Sequence, residues 1–154
     1  MSELLVREWT VNDIDLIIGM MSAYDLPFWN KKALSSCFDP NYAGWVAYDE
    51  EEPFDTCMRG VAITLFENKA CQLLNLAVSK PFRRQGIAHI LVDRVLRSAR
   101  DNGCSCVYLE VRVSNTPAIS FYGKMGFARV GCRKAYFVSP LGREDALILR
   151  HDVT

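Results

Sequence analysis

The segment LEVRVSNTPAISFY, residues 109–122, places a carboxylate where the sequence otherwise predicts a buried strand. Glu110 lies between apolar neighbours, and a polar turn and a helix that carries Tyr122 follow it. A charge in such a position costs free energy unless it is paired, hydrated or used in a reaction. In an alternating strand Tyr108, Glu110 and Arg112 share one face, so an ion pair of Glu110 with Arg112 or another cation is the simplest structural interpretation. The functional alternative is that Glu110 takes part in proton transfer.

The segment RRQGIA, residues 83–88, joins an apolar strand to the start of a helix. Unpaired N–H groups and the helix dipole make such a start a ready site for phosphate. Gly86 lets the backbone approach a ligand closely, and Arg83 and Arg84 can add charge-assisted hydrogen bonds. The sequence has neither a GxxxxGK[ST] P-loop nor a GxGxxG dinucleotide fingerprint. An ordinary strand-to-helix turn with solvated arginines is the competing interpretation.

The composition of the 154-residue chain is that of a folded globular protein, with 50% hydrophobic and 23% charged residues. Eighteen basic residues balance eighteen acidic ones, so no overall basic field predicts nucleic-acid binding. We expect a single domain over residues 1–154, without signal peptide or membrane span, in the cytoplasm. The six cysteines include no CxxC pair and are expected to be small buried side chains, and no metal site is expected.

Hydrophobic periodicity and turn signals supply the elements that must position these residues. They predict helices at 11–24, 31–37, 86–102 and 117–125, and strands at 4–10, 43–50, 56–66, 70–79, 104–113, 127–138 and 145–152. The apolar strand 70–79 is expected to be buried on both faces and to pair in parallel with strand 104–113. Thr116 is expected to cap the last helix, with Pro117 at its first position.

The pattern R-x-x-G-x-A after a strand that ends LAVS resembles the acyl-coenzyme A pyrophosphate loop of the GNAT family of N-acetyltransferases. LEVRVSNTPAISFYGKMGF and GREDALIL are similar to the second half of its RimI-type branch, and DLPFW, residues 25–29, is similar to that branch's proline–tryptophan segment. The resemblance runs roughly from Leu5 to Arg150. It implies an α/β GNAT fold, a single mixed twisted sheet of about six or seven strands flanked by about four helices, with splayed central parallel strands.

The resemblance also implies a site, which carries over residue by residue. Glu110 matches the carboxylate proposed as general base, and Tyr122 matches the tyrosine proposed as general acid. Trp29 and Tyr136 match residues near the peptide entrance. Binding of the co-substrate acetyl-CoA falls to Leu76, Ala77, Val78, Arg83, Arg84, Gln85, Gly86, Ile87, Ala88, His89 and Asn115.

The implied activity is transfer of acetyl from acetyl-CoA to the N-terminal α-amine of a protein, in this branch the N-terminal alanine of a small-subunit ribosomal protein. Direct attack requires a neutral amine, and a free α-amine has a pKa near ~8, well below the ~10.4 of lysine, so a modest base suffices. No covalent enzyme intermediate is needed.

Three departures from the pattern leave the peptide specificity open. Phe137 replaces a second tyrosine, His89 follows the loop where a basic or small residue is more usual, and DLPFW has one residue inserted between its proline and its tryptophan. Two alternatives therefore remain. The acceptor could be a lysine side chain or a small-molecule amine, or the protein could be a non-catalytic acyl-CoA-binding module.

Overall fold

A computed structural model describes residues 4–23, 29–53 and 56–153 of the chain. Its helices and strands follow the order predicted from the sequence, with small shifts at their ends. They are β1 (Leu4–Glu8), α1 (Ile14–Ala23), α2 (Lys31–Ser36), β2 (Tyr42–Asp49), β3 (Met58–Glu67), β4 (Ala70–Val78), α3 (Ile87–Asp101), β5 (Cys106–Arg112), α4 (Thr116–Lys124), β6 (Ala128–Ser139) and β7 (Gly142–Asp152). Single 3-10 turns precede α1 and α3.

The strands form one seven-stranded sheet in the order β1-β2-β3-β4-β5-β7-β6. β4 and β5 are parallel and are connected by α3, as expected for a strand–helix–strand unit. The other neighbouring pairs are antiparallel. The predicted mixed α/β fold is therefore confirmed.

Two hydrophobic cores cover the sheet. The first core holds the apolar stripe of α3 together with Tyr122 and Phe127, and the second holds the buried residues of α1 and α2. The stripe of α3 consists of Ile87, Leu91, Val92, Val95, Leu96 and Ala99. None of the helices in the described ranges is both long and apolar enough to cross a membrane.

The strand that is buried on both faces is β3, and the prediction that β4 would be was wrong. β3 is buried without interruption from Met58 to Thr64. In β4 only Cys71, Leu73 and Ala77 are buried. The apolar composition of the two strands is similar, but β4 borders a cleft that is lined by the half-buried Leu74, Asn75 and Leu76.

Two smaller expectations also need correction. Asn115 caps α4, because its Oδ1 accepts from the amide of Ala118 at 3.3 Å, so the helix begins one residue earlier than predicted and Thr116 is inside it. Cys132 lies exposed on the edge strand β6. The cysteines that are buried as expected are Cys37, Cys71, Cys104 and Cys106.

Candidate active site

β4 and β5 separate soon after they begin to pair. Their register runs only from Ala70 opposite Cys106 to Gln72 opposite Tyr108, where the Tyr108 hydroxyl donates to Gln72 Oε1 at 3.3 Å. The next residues of β4 contain a β-bulge at Leu74, because the partners of Ile63 and Thr64 on β4 are residues 75 and 73. A bulge bends and twists its strand, which accounts for the separation. The predicted splay of the two parallel strands is confirmed.

A cleft of about 530 Å³ fills the gap between the separated strands. It brings together Trp29, Leu76, Glu110, Asn115 and Tyr122, all of which the sequence singled out. The rest of its lining is Leu73, Leu74, Asn75, Leu109, Val111, Arg112, Ala118 and Phe137. A second cleft of about 570 Å³ contains none of the predicted site residues. The predicted segment 25–29 lies outside the described residues except for Trp29.

Glu110 is paired in this structure, and its partner is Arg133 on β6. The Arg133 Nε lies 2.9 Å from Glu110 Oε1, and the two side chains are 53% and 10% exposed, respectively. The simpler pairing with Arg112 does not occur. Arg112 instead contacts Glu144 at 3.5 Å and lies over the ring of Phe137 at 4.5 Å.

Tyr136 reaches the same carboxylate. Its hydrogen bond with Glu110 is the main reason that the pKa of Tyr136 is raised, and burial and the charge of Glu110 add to this. The guanidinium of Arg133 lies 5.5 Å from the centre of the Tyr136 ring. One side chain of β6 therefore pairs with the carboxylate that β5 supplies, and a second lies beside this pair.

Tyr122 presents a neutral hydroxyl to the cleft. The residue is only 8% exposed, and burial raises the pKa of its hydroxyl well above the ordinary value. Its ring packs edge-on against Phe121 and Phe127. The hydroxyl has no hydrogen-bond partner among residues 4–23, 29–53 and 56–153. Every fully buried side-chain oxygen in these ranges has a partner, so the Tyr122 hydroxyl is not fully buried. It therefore opens onto the cleft, where it can donate to a ligand.

The predicted pyrophosphate loop continues from the end of β4. Arg84 has φ 63° and Gly86 has φ 83°, and these left-handed residues turn the chain into α3. Within the described part of the chain, the amides of residues 84–89 have no acceptor, and the first bond of the helix runs from Ile90 N to Gly86 O. Consecutive unpaired amides at a helix N-terminus form an anion-binding concavity. The donor set therefore fits a diphosphate.

The side chains of this loop differ in what they contact, and they do not all face the same way. Arg83 donates from Nε to the carbonyl of Val78 at 3.3 Å and so holds the loop against the end of β4. Ile87 is buried in the first core, so only its amide can face a ligand. Gly86 has open space around it, since an added Cβ would meet no atom within 4 Å.

Sequence reasoning missed Arg133, which now covers Glu110, and it gave no role to Asp145. Neither residue is near Glu110 in the chain. Arg133 reaches Glu110, and Asp145 reaches the neighbouring residues Lys134 and Ala135, only because β7 lies beside β5 and β6 lies beside β7 in the sheet. The spacing of three between Arg133 and Tyr136 gave no signal, since residues three apart lie on opposite faces of a regular strand.

Comparison with known proteins adds an independent observation. The sequence model described as the acetyltransferase (GNAT) family matches residues 3–127. The [ribosomal protein bS18]-alanine N-acetyltransferase of Escherichia coli K12 is 35% identical over 92 residues, which are 60% of this chain and 62% of that protein. In that alignment the chain thus spans less than two thirds of its relative.

Longer matches extend the similarity. The protein of the same name from Haemophilus ducreyi is 31% identical over 138 residues, 89% of this chain and 92% of that protein. The crystal structure of the ribosomal-protein-S18-alanine N-acetyltransferase from Escherichia coli superimposes with a TM-score of 0.87 at 25% identity, covering 99% of this chain and 95% of that chain.

Proposed function

The chain belongs to the acetyltransferase (GNAT) family, and from this premise we propose that it transfers an acetyl group from acetyl-CoA to the N-terminal α-amine of a protein. The acceptor we propose is the N-terminal alanine of a small-subunit ribosomal protein. The names of the relatives from Escherichia coli and Haemophilus ducreyi support this choice.

One observation carries the proposal. The separation of β4 from β5 places the free edge of β4, the Glu110 carboxylate and the unpartnered Tyr122 hydroxyl around a single cleft. The amides of residues 84–89 lie just beyond the end of β4. A thioester carrier with a diphosphate needs these parts together: an anion site, a free strand edge, a proton acceptor and a proton donor.

The chain binds the carrier in two places. The amides of residues 84–89 and the exposed guanidinium of Arg84 hold the diphosphate. The backbone of Leu76, Ala77 and Val78 hydrogen-bonds the amides of the pantetheine arm as an added strand would. Asn115, which caps α4, lines the same cleft. Acetyl-CoA supplies the activated acetyl group as its thioester.

Glu110 takes up the proton that the attacking α-amine must lose. Its Oε1 is paired with Arg133, so the proton passes to the other carboxylate oxygen or to a water that the carboxylate holds. The ion pair with Arg133 fixes the orientation of the carboxylate. Because a free α-amine has a pKa near ~8, such a fixed but modest acceptor is adequate at neutral pH.

Tyr122 acts at the other end of the reaction. Its raised pKa keeps the hydroxyl protonated, so it donates to the sulfur as the carbon–sulfur bond breaks. Phe137 and Trp29 line the cleft beside these groups and contribute to the acceptor side.

A peptide assay tests the proposal. The purified protein is incubated with acetyl-CoA and a peptide that carries the bS18 N-terminus and an internal lysine, beside the same peptide with its N-terminus blocked. We expect mass spectrometry to show one acetyl group on the α-amine of the first peptide and none on the second. Acetylation of both peptides would identify a lysine acetyltransferase, and coenzyme A binding without transfer to any peptide would identify a binding module.

A further inference from the structure

β6 leaves its regular register beside the site. Arg133 lies opposite Ala146 and Phe137 lies opposite Glu144, so three residues of β6, 134–136, lie opposite Asp145 alone. In a regular strand the side chains of residues 133 and 136 would point to opposite faces of the sheet. Arg133 nevertheless pairs with the Glu110 carboxylate at 2.9 Å, and its guanidinium lies 5.5 Å from the centre of the Tyr136 ring. The extra residues are what allow both side chains to lie beside Glu110.

Asp145 holds this bulge with its side chain. Its Oδ1 accepts from the amide of Ala135 at 2.8 Å, and its Oδ2 lies 3.3 Å from Lys134 Nζ. Ala135 has φ 51°, a left-handed conformation that a non-glycine residue adopts only with support. Arg143 adds a bond from Nη1 to the carbonyl of Ala135 at 3.3 Å.

Asp145 is itself fixed to β5. Its carbonyl accepts from the amide of Val113, just after β5, at 3.2 Å. The pKa of its carboxyl is lowered, first by the Ala135 amide and then by Lys134, so the carboxylate is charged at neutral pH. The bulge is thus tied through one residue to the strand that carries Glu110.

We propose that Asp145 is a positioning residue for the acceptor amine: it folds residues 134–136 out of register so that Arg133 and Tyr136 meet on Glu110. This inference rests on the proposed function for its kinetic consequence only. Without the carboxylate, Ala135 loses the support for its left-handed backbone. β6 then returns toward regular pairing, which turns Arg133 or Tyr136 away from Glu110.

Kinetics with three variants test the proposal. We expect Asp145→Ala to raise the KM for the acceptor peptide about tenfold while the KM for acetyl-CoA stays within about twofold. Asp145→Asn retains an oxygen for the Ala135 amide and should restore most of the loss. Adding Ala135→Gly to Asp145→Ala should restore part of it, because glycine needs no support at positive φ. Equal changes in both KM values would contradict the proposal.

A titration of Tyr136 tests the same geometry without any activity. NMR of protein labelled at tyrosine Cζ follows each hydroxyl, and the Tyr136 signal is assigned with Tyr136→Phe. We expect Asp145→Ala to return the pKa of Tyr136 toward about 10, because its hydrogen bond with Glu110 is lost. An unchanged Tyr136 titration would overturn the inference.

Two further outcomes separate this inference from the proposed function. If the wild-type protein acetylates no peptide, the proposed function fails, and the Tyr136 titration still decides whether Asp145 organises the β6 bulge. If Asp145→Ala does not fold, Ala135→Val replaces it, since a β-branched residue opposes positive φ while Asp145 stays intact. That variant must then lower the Tyr136 pKa in the same way, or the inference is wrong.

Discussion

Tyr122 illustrates how burial can keep a proton in place. Its ring is enclosed by Phe121 and Phe127, while its hydroxyl has no protein partner in the described part of the chain. Burial favours the neutral form, so the proton is lost only as the pH rises through a pKa above the ordinary value of about 10. A donor of this kind is present over the whole range in which the α-amine is neutral enough to react.

We therefore expect Tyr122→Phe to lower kcat about 100-fold while the KM for acetyl-CoA stays nearly constant. The hydroxyl makes no hydrogen bond within the described ranges, so its removal should leave the melting temperature unchanged. Steady-state kinetics and thermal denaturation measure the two quantities. Full activity in this variant would show that Tyr122 is a core aromatic residue without a role in proton transfer.

Tyr108→Phe is the matched control for this change. Its hydroxyl donates to Gln72 at 3.3 Å, at the last point where β4 and β5 pair. Removal of this neutral hydrogen bond should cost about 1 kcal/mol of stability and have little effect on kcat. The two tyrosine variants should thus show opposite patterns, one in activity and one in stability.

Glu110→Gln isolates the charge of the second proposed catalytic residue. The amide oxygen of glutamine can still accept from Arg133, which is half-exposed and can be hydrated, so the fold should be retained. We expect kcat to fall about 100-fold, with coenzyme A affinity by calorimetry close to that of the wild type. Loss of affinity together with activity would mean that Glu110 holds the structure of the cleft.

Glu110 could be singled out from the sequence because a carboxylate conflicts with an apolar strand. Tyr122 is predicted from the family resemblance, since a tyrosine in a helix is not unusual by itself. Arg133 could not be singled out, because an arginine on an edge strand is ordinary. Its role depends on the pairing of β5 with β7 and of β7 with β6, and strand order beyond a simple hairpin is set by tertiary packing.

At the scale of elements, α3 begins and ends with glycines in the same unusual conformation. Gly86 precedes the helix with φ 83°, and Gly103 follows it with φ 75°. An added Cβ would meet no atom within 4 Å at either position. The two glycines thus share a positive φ that other residues adopt only with strain, but only Gly86 lies among the unpaired amides.

Gly86→Ala and Gly103→Ala therefore form a matched pair. Each should cost about 1 kcal/mol of stability, because alanine is strained in the left-handed conformation. We expect only Gly86→Ala to raise the KM for acetyl-CoA, by about tenfold, since its methyl group weakens a charge-assisted contact with the diphosphate. An unchanged KM for Gly86→Ala would show that the carrier does not bind at this helix start.

Element order could be predicted from the sequence because hydrophobic periodicity is local. The stripe of α3 and the alternation of β5 needed no knowledge of neighbours. The bulge at Leu74 could not be predicted, and it reverses the faces of β4: Cys71 and Leu73 before it, and Leu76 and Val78 after it, all lie on the side of the first core. A strict period of two would have placed the last pair on the other side.

At the scale of the whole molecule, Asp13 ties the first strand to the first helix. Arg7 Nη1 and Nη2 each lie 2.8 Å from one of its carboxylate oxygens, and the amide of Thr10 donates at 2.7 Å. Burial alone would raise the pKa of Asp13, but the bonds from Arg7 and Thr10 outweigh it and lower the pKa. Because the folded-state pKa is depressed, the stabilisation is present above the unfolded value of about 3.9 and is lost as the pH falls through the folded value.

Asp13→Asn should therefore lower the free energy of unfolding by about 2 kcal/mol at pH 7, less than for a fully buried pair because Arg7 is partly exposed. The difference from the wild type should shrink below about pH 4, as the wild-type carboxyl gains its proton. Urea denaturation at several pH values measures this. Asp15→Asn is the control, since its ion pair with Lys31 is exposed and should contribute less than about 0.5 kcal/mol.

The short pairing of β4 with β5 leaves the seven-stranded sheet with a seam, at which few backbone bonds join β1–β4 to the other three strands. In the described residues, backbone bonds cross this seam only over residues 69–72 and 105–108. If the carrier bonds to the β4 edge as proposed, it acts as an added strand, so its binding should stiffen the seam and the departure of coenzyme A should loosen it. Hydrogen exchange of the amides of residues 73–78 would then be slower with the carrier bound and faster after its release. The rate of product release would depend on local opening of the sheet.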